Sequence, residues 1–155
     1  MRAVVQRVLS ASVTVDSEVV SEISQGLMVL IGIGIGISHF NVLLLQLALK
    51  VFPNSSGDMW KANVKDIQGE ILCVSQFTLM ANTLKGNKPD FHRAMSADQS
   101  RSMYASLLQY MGTQYSPKKI KDGRFGAMMN ISLINEGPVT FTLDSRKFEY
   151  ISSVG

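Results

Sequence analysis

The chain is short of the residues that brace a fold by covalent or metal chemistry. It contains one cysteine, Cys73, which excludes an internal disulfide. Beside Cys73 only His39 and His92 offer soft ligands, too few for a zinc-type site, so neither metal nor cofactor is expected. Charged residues make up only 17% of the sequence, a charge-poor composition that leaves apolar surface for subunit contact. No helix candidate reaches the roughly 20 apolar residues that a bilayer span requires. Met1-Arg2 runs directly into a strand pattern with no secretory signal ahead of it, so the expectation is a soluble, cytoplasmic protein.

What is present fits one domain. A length of 155 residues with 46% hydrophobic content suffices for an ordinary core. A net charge of +3 permits a nucleic-acid partner without requiring one. Cys73 lies inside an apolar strand run and reads as a small buried hydrophobe.

The most informative stretch is Ile71–Asn82, ILCVSQFTLMAN. A β-forming run (Ile71, Leu72, Val74) is followed abruptly by Ser75, Gln76 and Thr78 around a single Phe77. If the strand continues to Leu79, alternation places Ser75, Phe77 and Leu79 on one face and Gln76 and Thr78 on the other. On pattern alone this favours a strand emerging at a sheet rim; the alternative is the floor of an active site.

Around this stretch, Arg2–Val15 reads as one long or two short strands, and Asp16-Ser17 as a tight turn returning through Glu18–Ile23. Leu27–Ile37 is a third strand. Its repeat Ile31-Gly32-Ile33-Gly34-Ile35-Gly36 lacks the spacing of a dinucleotide fingerprint. Strict Ile/Gly alternation instead fits a strand with a bare face on which another segment packs closely. Ser38 can cap a helix over Phe40–Phe52, ended by Pro53, with His39 a solvated or capping residue. Met59–Asp66 and Glu70–Leu79 are read as strands about the Gln68-Gly69 turn. Ser96 and Gln99 form a capping-box pattern before a helix with Met103, Leu107 and Met111 as its buried stripe, ending at Gly112. Ala127–Ile134 and Val139–Leu143 complete the strands. The fold class expected is α+β: a curved, mostly antiparallel β-sheet with two main helices. Residues 1–144 form the domain and 145–155 a loosely ordered tail.

Thr83–Arg93 is a polar, basic loop with Phe91 among Lys85, Lys88, His92 and Arg93. Aromatic rings among cations suit single-stranded nucleic acid, and they equally describe an exposed loop. Lys118–Lys121 is a shorter basic patch, more often a solvated loop than a binding site, that could serve the same RNA.

A second stretch, Asn135-Glu136-Gly137-Pro138-Val139-Thr140, stands near the C-terminus. The pair SQFTL and NEGPVT, in this order and separation, resembles the D-aminoacyl-tRNA deacylase (D-tyrosyl-tRNA deacylase) family. The opening RAVVQRVLSASVTVDSEVVSEI, the segment GNKPDF (Gly86–Phe91) and GRF (Gly123–Phe125) agree, so the resemblance runs from Met1 to about Leu143. The sequence departs from the family pattern at Glu136, where an Asp is common, and over Gly34–Phe40, which lacks the acidic residues expected there.

The resemblance implies hydrolysis of the ester joining a D-amino acid to the terminal ribose of tRNA, without metal or cofactor. It places Ser75, Gln76, Phe77 and Thr78 at the catalytic position. It implies a cis Gly137-Pro138 bond whose carbonyls enter the pocket of a partner subunit in a homodimer. Arg7 would hold that loop; Phe125 and Met129 would line the pocket with Phe77, and Asn135 would join the substrate-binding set. Lys85, Lys88 and Arg93 are the expected tRNA contacts. Thr78 is the nucleophile by residue type, yet nothing near it in sequence offers a base. Substrate-assisted chemistry, in which the free ribose hydroxyl takes part, is the version that the resemblance supports. Two rivals are a non-catalytic nucleic-acid-binding module and an esterase with Thr78 as nucleophile.

Overall fold

The computed structural model describes residues 1–36 and 47–145. Its organising element is β1, Arg2–Val15, a single long strand. Asp16 and Ser17 both take positive φ (50° and 67°), the backbone of a type I′ turn, and return the chain through β2, Glu18–Ile23. β3, Gly26–Gly32, pairs antiparallel with β1 over Arg2–Val8, and β2 pairs with the same strand over Ala11–Val15. The opposite edge of β1 is taken along most of its length by β6, Asn130–Asp144. These pairings are antiparallel, whereas β4 (Glu70–Ser75) lies parallel to β3 and β5 (Ile120–Asp122) parallel to β4. The sheet is therefore mixed. β2 also lies beside β4 and β5, so the sheet curls back on itself.

β3 and β4 are near-continuous apolar runs because both of their faces are covered. Leu27, Val29, Ile71 and Cys73 face one cluster, which is closed by Tyr104, Leu107 and Met111 of the helix α1, Ala97–Gln114. Met28, Leu72 and Val74 face a second cluster with Val8, Val13 and Val15 inside the curl. The methionine–leucine stripe of α1 is thus core, as its spacing indicates. The helix runs two residues past Gly112, which is glycine for another reason: a Cβ there would sit 3.3 Å from Pro117 Cα. Ser96 Oγ bonds Gln99 Oε1 at 3.1 Å, so the two polar side chains pair with each other and do not form the reciprocal backbone cap.

Three sequence expectations are revised. Among the described residues one long helix is present. Most of the expected helix over residues 40–52, with Ser38 and His39, lies outside the described residues; Leu47 and Ala48 are helical and the chain is not helical from Leu49. There Phe52 N–H donates to Ala62 O at 3.0 Å, and Pro53 biases the residue before it away from the α region. Met59–Asp66 is no strand: beyond the Phe52–Ala62 bridge it is a series of turns, with Trp60 at φ 62° and Asn63 Oδ1 accepting from Lys65 and Asp66 N–H. The two C-terminal strands are one continuous β6. Asp144 and Ser145 are bonded to the N-terminus, through Arg2 and Met1 respectively, while residues 146–155 of the expected tail lie outside the described residues. No helix among the described residues is long and apolar enough to cross a membrane.

Candidate active site

β4 ends where its composition changes, and it does not continue to Leu79. Its last sheet contact is Gln76 N–H donating to Ile31 O at 2.7 Å, after which Phe77–Met80 folds into a 3-10 helix. The expected sharing of one strand face by Ser75, Phe77 and Leu79 is therefore lost. The Gln76 backbone amide is thereby taken by the sheet. Leu79 N–H returns to Gln76 O and Ala81 N–H to Thr78 O. The first two amides of the turn, Phe77 and Thr78, have no acceptor among the described residues, as the opening donors of any helical turn lack internal partners. The Gln76 amide group donates to Thr78 Oγ1, tying the two polar side chains together.

The Ile/Gly repeat explains why the turn can lie there. A Cβ on Gly32 would stand 2.8 Å from Gln76 O and 2.9 Å from Leu79 Cβ; one on Gly34 would meet Met80 Cε at 2.5 Å and Arg93 O at 3.1 Å. The third strand stops at Gly32, short of the expected Ile37, and Gly34 follows in an isolated bridge to Ala94; the bare positions Gly32 and Gly34 are the seat of the Gln76–Met80 turn.

Above it opens a cavity of about 630 Å³. Ser75, Gln76 and Phe77 line one side, Phe125 and Met129 another, with Ile31, Ile33, Met95, Ala127 and Met128 completing the wall. No charged side chain lines it. The structure thus brings together Ser75, Gln76, Phe77, Phe125 and Met129; Thr78 lies just outside the lining and is exposed. Met129 is held by its neighbours: Arg124 N–H donates to its sulfur at 3.4 Å, and a Cβ on Gly123 would stand 2.8 Å from the same atom. Phe125 packs on Tyr104 with centroids 5.7 Å apart and lies under the Arg101 guanidinium at 4.6 Å. Tyr104 OH donates to Asp122 Oδ1 at 2.6 Å. Burial pushes the Asp122 carboxyl above its ordinary range, against the opposing pull of the Tyr104 and Gly123 hydrogen bonds. Burial, then the Asp122 charge, drives the Cys73 thiol well above the ordinary range, so Cys73 is an inert core group.

A second cluster forms elsewhere. Between the β1–β6 pairs Val8–Asn135 and Gln6–Thr140, β1 contributes Arg7 alone while β6 contributes Glu136, Gly137, Pro138 and Val139. The surplus bulges out as a loop with a cis Gly137-Pro138 bond and Gly137 at φ 118°. Asn135 spans the base of the bulge, donating to Arg7 O and Val139 O, both at 2.9 Å, and accepting from Thr140 Oγ1 at 3.0 Å. Arg7 is buried beneath, its Nη1 donating to Val51 O at 2.6 Å and its Nε 3.2 Å from Glu136 Oε2. That second interaction is a charge pair and lacks hydrogen-bond alignment. Gly137 and Pro138 are exposed and absent from the cavity wall.

The basic loop meets the first cluster through Phe91, whose ring lies edge-on to Phe77 at 5.0 Å. Lys85, Lys88 and Arg93 are exposed. Lys119, by contrast, donates to Gln68 O at 2.7 Å and is spent on the fold. Asp90 accepts from His92 N–H and meets the His92 ring, contacts that hold its carboxyl below the ordinary range. The walls from Met95, Ala127 and Met128 carry no signal in the sequence and reach the cavity through the tertiary fold, whereas the His92–Asp90 pair is a local contact two residues apart. Among the described residues no group of carboxylate, histidine and cysteine side chains suits a metal ion.

The family model described as D-Tyr-tRNA(Tyr) deacylase matches residues 4–144. The chain is 49% identical over 148 residues to the D-aminoacyl-tRNA deacylase of Saccharomyces cerevisiae, covering 94% of this chain and 99% of that protein. It is 49% identical over 150 residues to D-aminoacyl-tRNA deacylase 1 of Homo sapiens, covering 94% of this chain and 70% of that protein. A solved structure described as a c-Myc DNA unwinding element binding protein superposes with TM-score 0.90 at 47% identity, over 95% of this chain and 100% of that one. A probable eukaryotic D-amino acid tRNA deacylase shares the fold, with TM-score 0.76 at 17% identity over 91% and 97% of the two chains. With a family match along nearly its whole length and relatives at almost half identity, this chain belongs to the D-Tyr-tRNA(Tyr) deacylase family.

Proposed function

We infer that this protein is a hydrolase that cleaves the ester of D-aminoacyl-tRNA, releasing the free D-amino acid and tRNA. The observation that carries the reading is the uncharged cavity lined by Ser75, Gln76 and Phe77, where the chain enters a turn whose first two amides are unpaired among the described residues, in a chain belonging to a deacylase family. A water attacks the ester carbonyl; the C–O bond to water forms, the bond to the ribose oxygen breaks, and that oxygen takes a proton. The two amides are suited to the oxyanion that develops between these steps, a role worth ~2.7–4 kcal/mol for each donor. Thr78 Oγ1 accepts from Gln76 and, among the described residues, has no basic side chain bonded to it. This favours a pocket role for Thr78, with the free ribose hydroxyl assisting proton transfer.

Chirality we assign to the Gly137-Pro138 loop of a second copy of the chain, in a homodimer. In support, the loop lies opposite Arg7, whereas Ser75 is in register with Ile31 and, through it, Ala3 of β1. Four residues along a strand are about 13 Å, before the sideways distance across β1 and β3 is added. A loop so far from its own cavity suits a neighbour's better.

Release of amino acid from D-charged tRNA above the spontaneous rate tests the reaction; no acceleration would overturn it. Subunit exchange tests the dimer. A chain disabled at Gly137 mixed with one disabled at Phe77 and Thr78 should regain activity, since one site in each mixed dimer is intact. Confirmed exchange between folded mutants with no recovery would place each site within one chain. A non-catalytic nucleic-acid binder would retain tRNA without turnover.

A further inference from the structure

Arg101 is an exposed arginine whose position is nonetheless fixed. Its guanidinium carbon lies 4.6 Å over the Phe125 ring, and its Nη2 would stand 3.6 Å from a Cβ built on Gly126. Phe125 and Gly126 both line the cavity, as do Ala97 and Ser100 on the same end of α1. Arg101 therefore stands beside the part of the cavity wall formed by Phe125 and Gly126.

Its partners are unusual for a surface arginine. Asp98 is three residues before it on α1, the spacing at which helical ion pairs form. Yet among the described residues Arg101 makes no ion pair, and its charged group is spent on the ring face. The guanidinium carbon sits over the ring, and among the described residues no N–H of Arg101 is hydrogen-bonded, so its donors remain open. The cavity itself offers no charge of its own. A planar cation with open donors, seated on an aromatic ring in the wall of an uncharged cavity, is suited to a phosphate whose attached group enters that cavity.

We propose that Arg101, stacked on Phe125, binds the 5′-phosphate of the terminal nucleotide of the substrate and so orients the aminoacyl ester in the cavity. The inference rests on the deacylase reading and adds a phosphate subsite to it. The basic loop at Lys85–Arg93 then serves phosphates further along the strand.

The test compares two small substrates, D-aminoacyl-adenosine and the same ester of adenosine 5′-monophosphate. For the wild type, the phosphate should lower KM; Arg101→Gln should raise KM about tenfold for the phosphorylated ester only, the scale of one exposed charged hydrogen bond. Arg101→Lys should recover part of the loss, since it keeps the charge but not the planar fork. An equal loss on both esters would mean that Arg101 merely supports Phe125; no change on either would make it an ordinary surface residue. Each overturns the proposal. Direct binding of adenosine 5′-monophosphate and adenosine, followed by NMR, separates the two claims. Phosphate discrimination that depends on Arg101, without turnover, would sink the deacylase reading alone. Turnover without such discrimination would sink the subsite alone.

Discussion

Replacing Gly32 with alanine tests how the strand seats the Gln76–Met80 turn. The added Cβ would stand 2.8 Å from Gln76 O and 2.9 Å from Leu79 Cβ, where ordinary van der Waals separation begins near 3.4 Å. Backbone oxygen cannot swing aside as a side chain end can, so the Gln76–Met80 turn must move by about half an ångström or more. Overpacking of this kind costs ~1–3 kcal/mol. For a domain of this size, ~2–4 °C of Tm is lost per kcal/mol, giving a fall of about 2–12 °C. Activity should suffer more than stability. The Phe77 and Thr78 amides ride on the displaced turn, and a shift approaching 1 Å costs up to ~10²-fold in rate. Two controls sharpen the result. At Gly34 the closest atom is Met80 Cε, the end of a flexible side chain, so Gly34→Ala should be milder. Gly36 has nothing within 4 Å but sits at φ 76°, so Gly36→Ala should lose stability, by ~1 kcal/mol, with kcat nearly unchanged. The assays are thermal unfolding followed by circular dichroism and single-turnover hydrolysis of D-aminoacyl-tRNA. If Gly32→Ala kept full kcat while losing as much Tm as Gly36→Ala, the link between the glycine face and the turn would be wrong.

Three further outcomes follow from the same geometry. Thr78→Ala should retain measurable turnover, whereas a charged tRNA lacking the free ribose hydroxyl should react far more slowly; a trapped acyl-Thr78 would reverse this in favour of covalent catalysis. Neutralising Lys85, Lys88 and Arg93 should weaken tRNA binding and flatten its salt dependence by about 0.7 in slope for each phosphate no longer neutralised, leaving D/L preference unchanged; an unaltered slope would return these residues to the solvated loop. Asp122, with its carboxyl raised by burial, contributes stability at low pH that is lost as pH rises through its folded pKa. Asp122→Asn does not titrate, so its Tm relative to wild type should improve from about pH 3 to about pH 7; a constant difference would contradict the burial argument.

How much of this was legible in the sequence depended on whether the deciding interaction was local. The Asp16-Ser17 hairpin and the bare face at Gly32 and Gly34 were readable because a two-residue turn and a period-two pattern carry their own geometry, but the strand ends at Gly32 and Gly36 lies in a turn at φ 76°. The helix stripe through Leu107 and Met111 was readable for the same reason. The break of β4 at Gln76 was not, since Phe77, Thr78 and Leu79 are good strand residues and only the seat offered by Gly32 and Gly34 turns them into a 3-10 helix. Met59–Asp66 failed because the Asn63 side chain and the positive φ of Trp60 override β propensity. The unity of β6 was hidden by Gly137-Pro138, which reads as a strand end but is a bulge opposite Arg7. Of the motif residues, Ser75, Gln76, Phe77, Phe125 and Met129 meet at the cavity, while Met95, Met128 and Arg101 reach it only through the packing of α1 and the Gly123–Met129 segment.

The most direct measurement of the central claim is the ratio of kcat/KM for one tRNA charged with the D and with the L form of the same amino acid, each corrected for spontaneous hydrolysis. The account predicts cleavage of the D ester with the L ester close to background, and a chelator without effect. Equal rates on the two enantiomers, or hydrolysis of neither by folded protein, would contradict it.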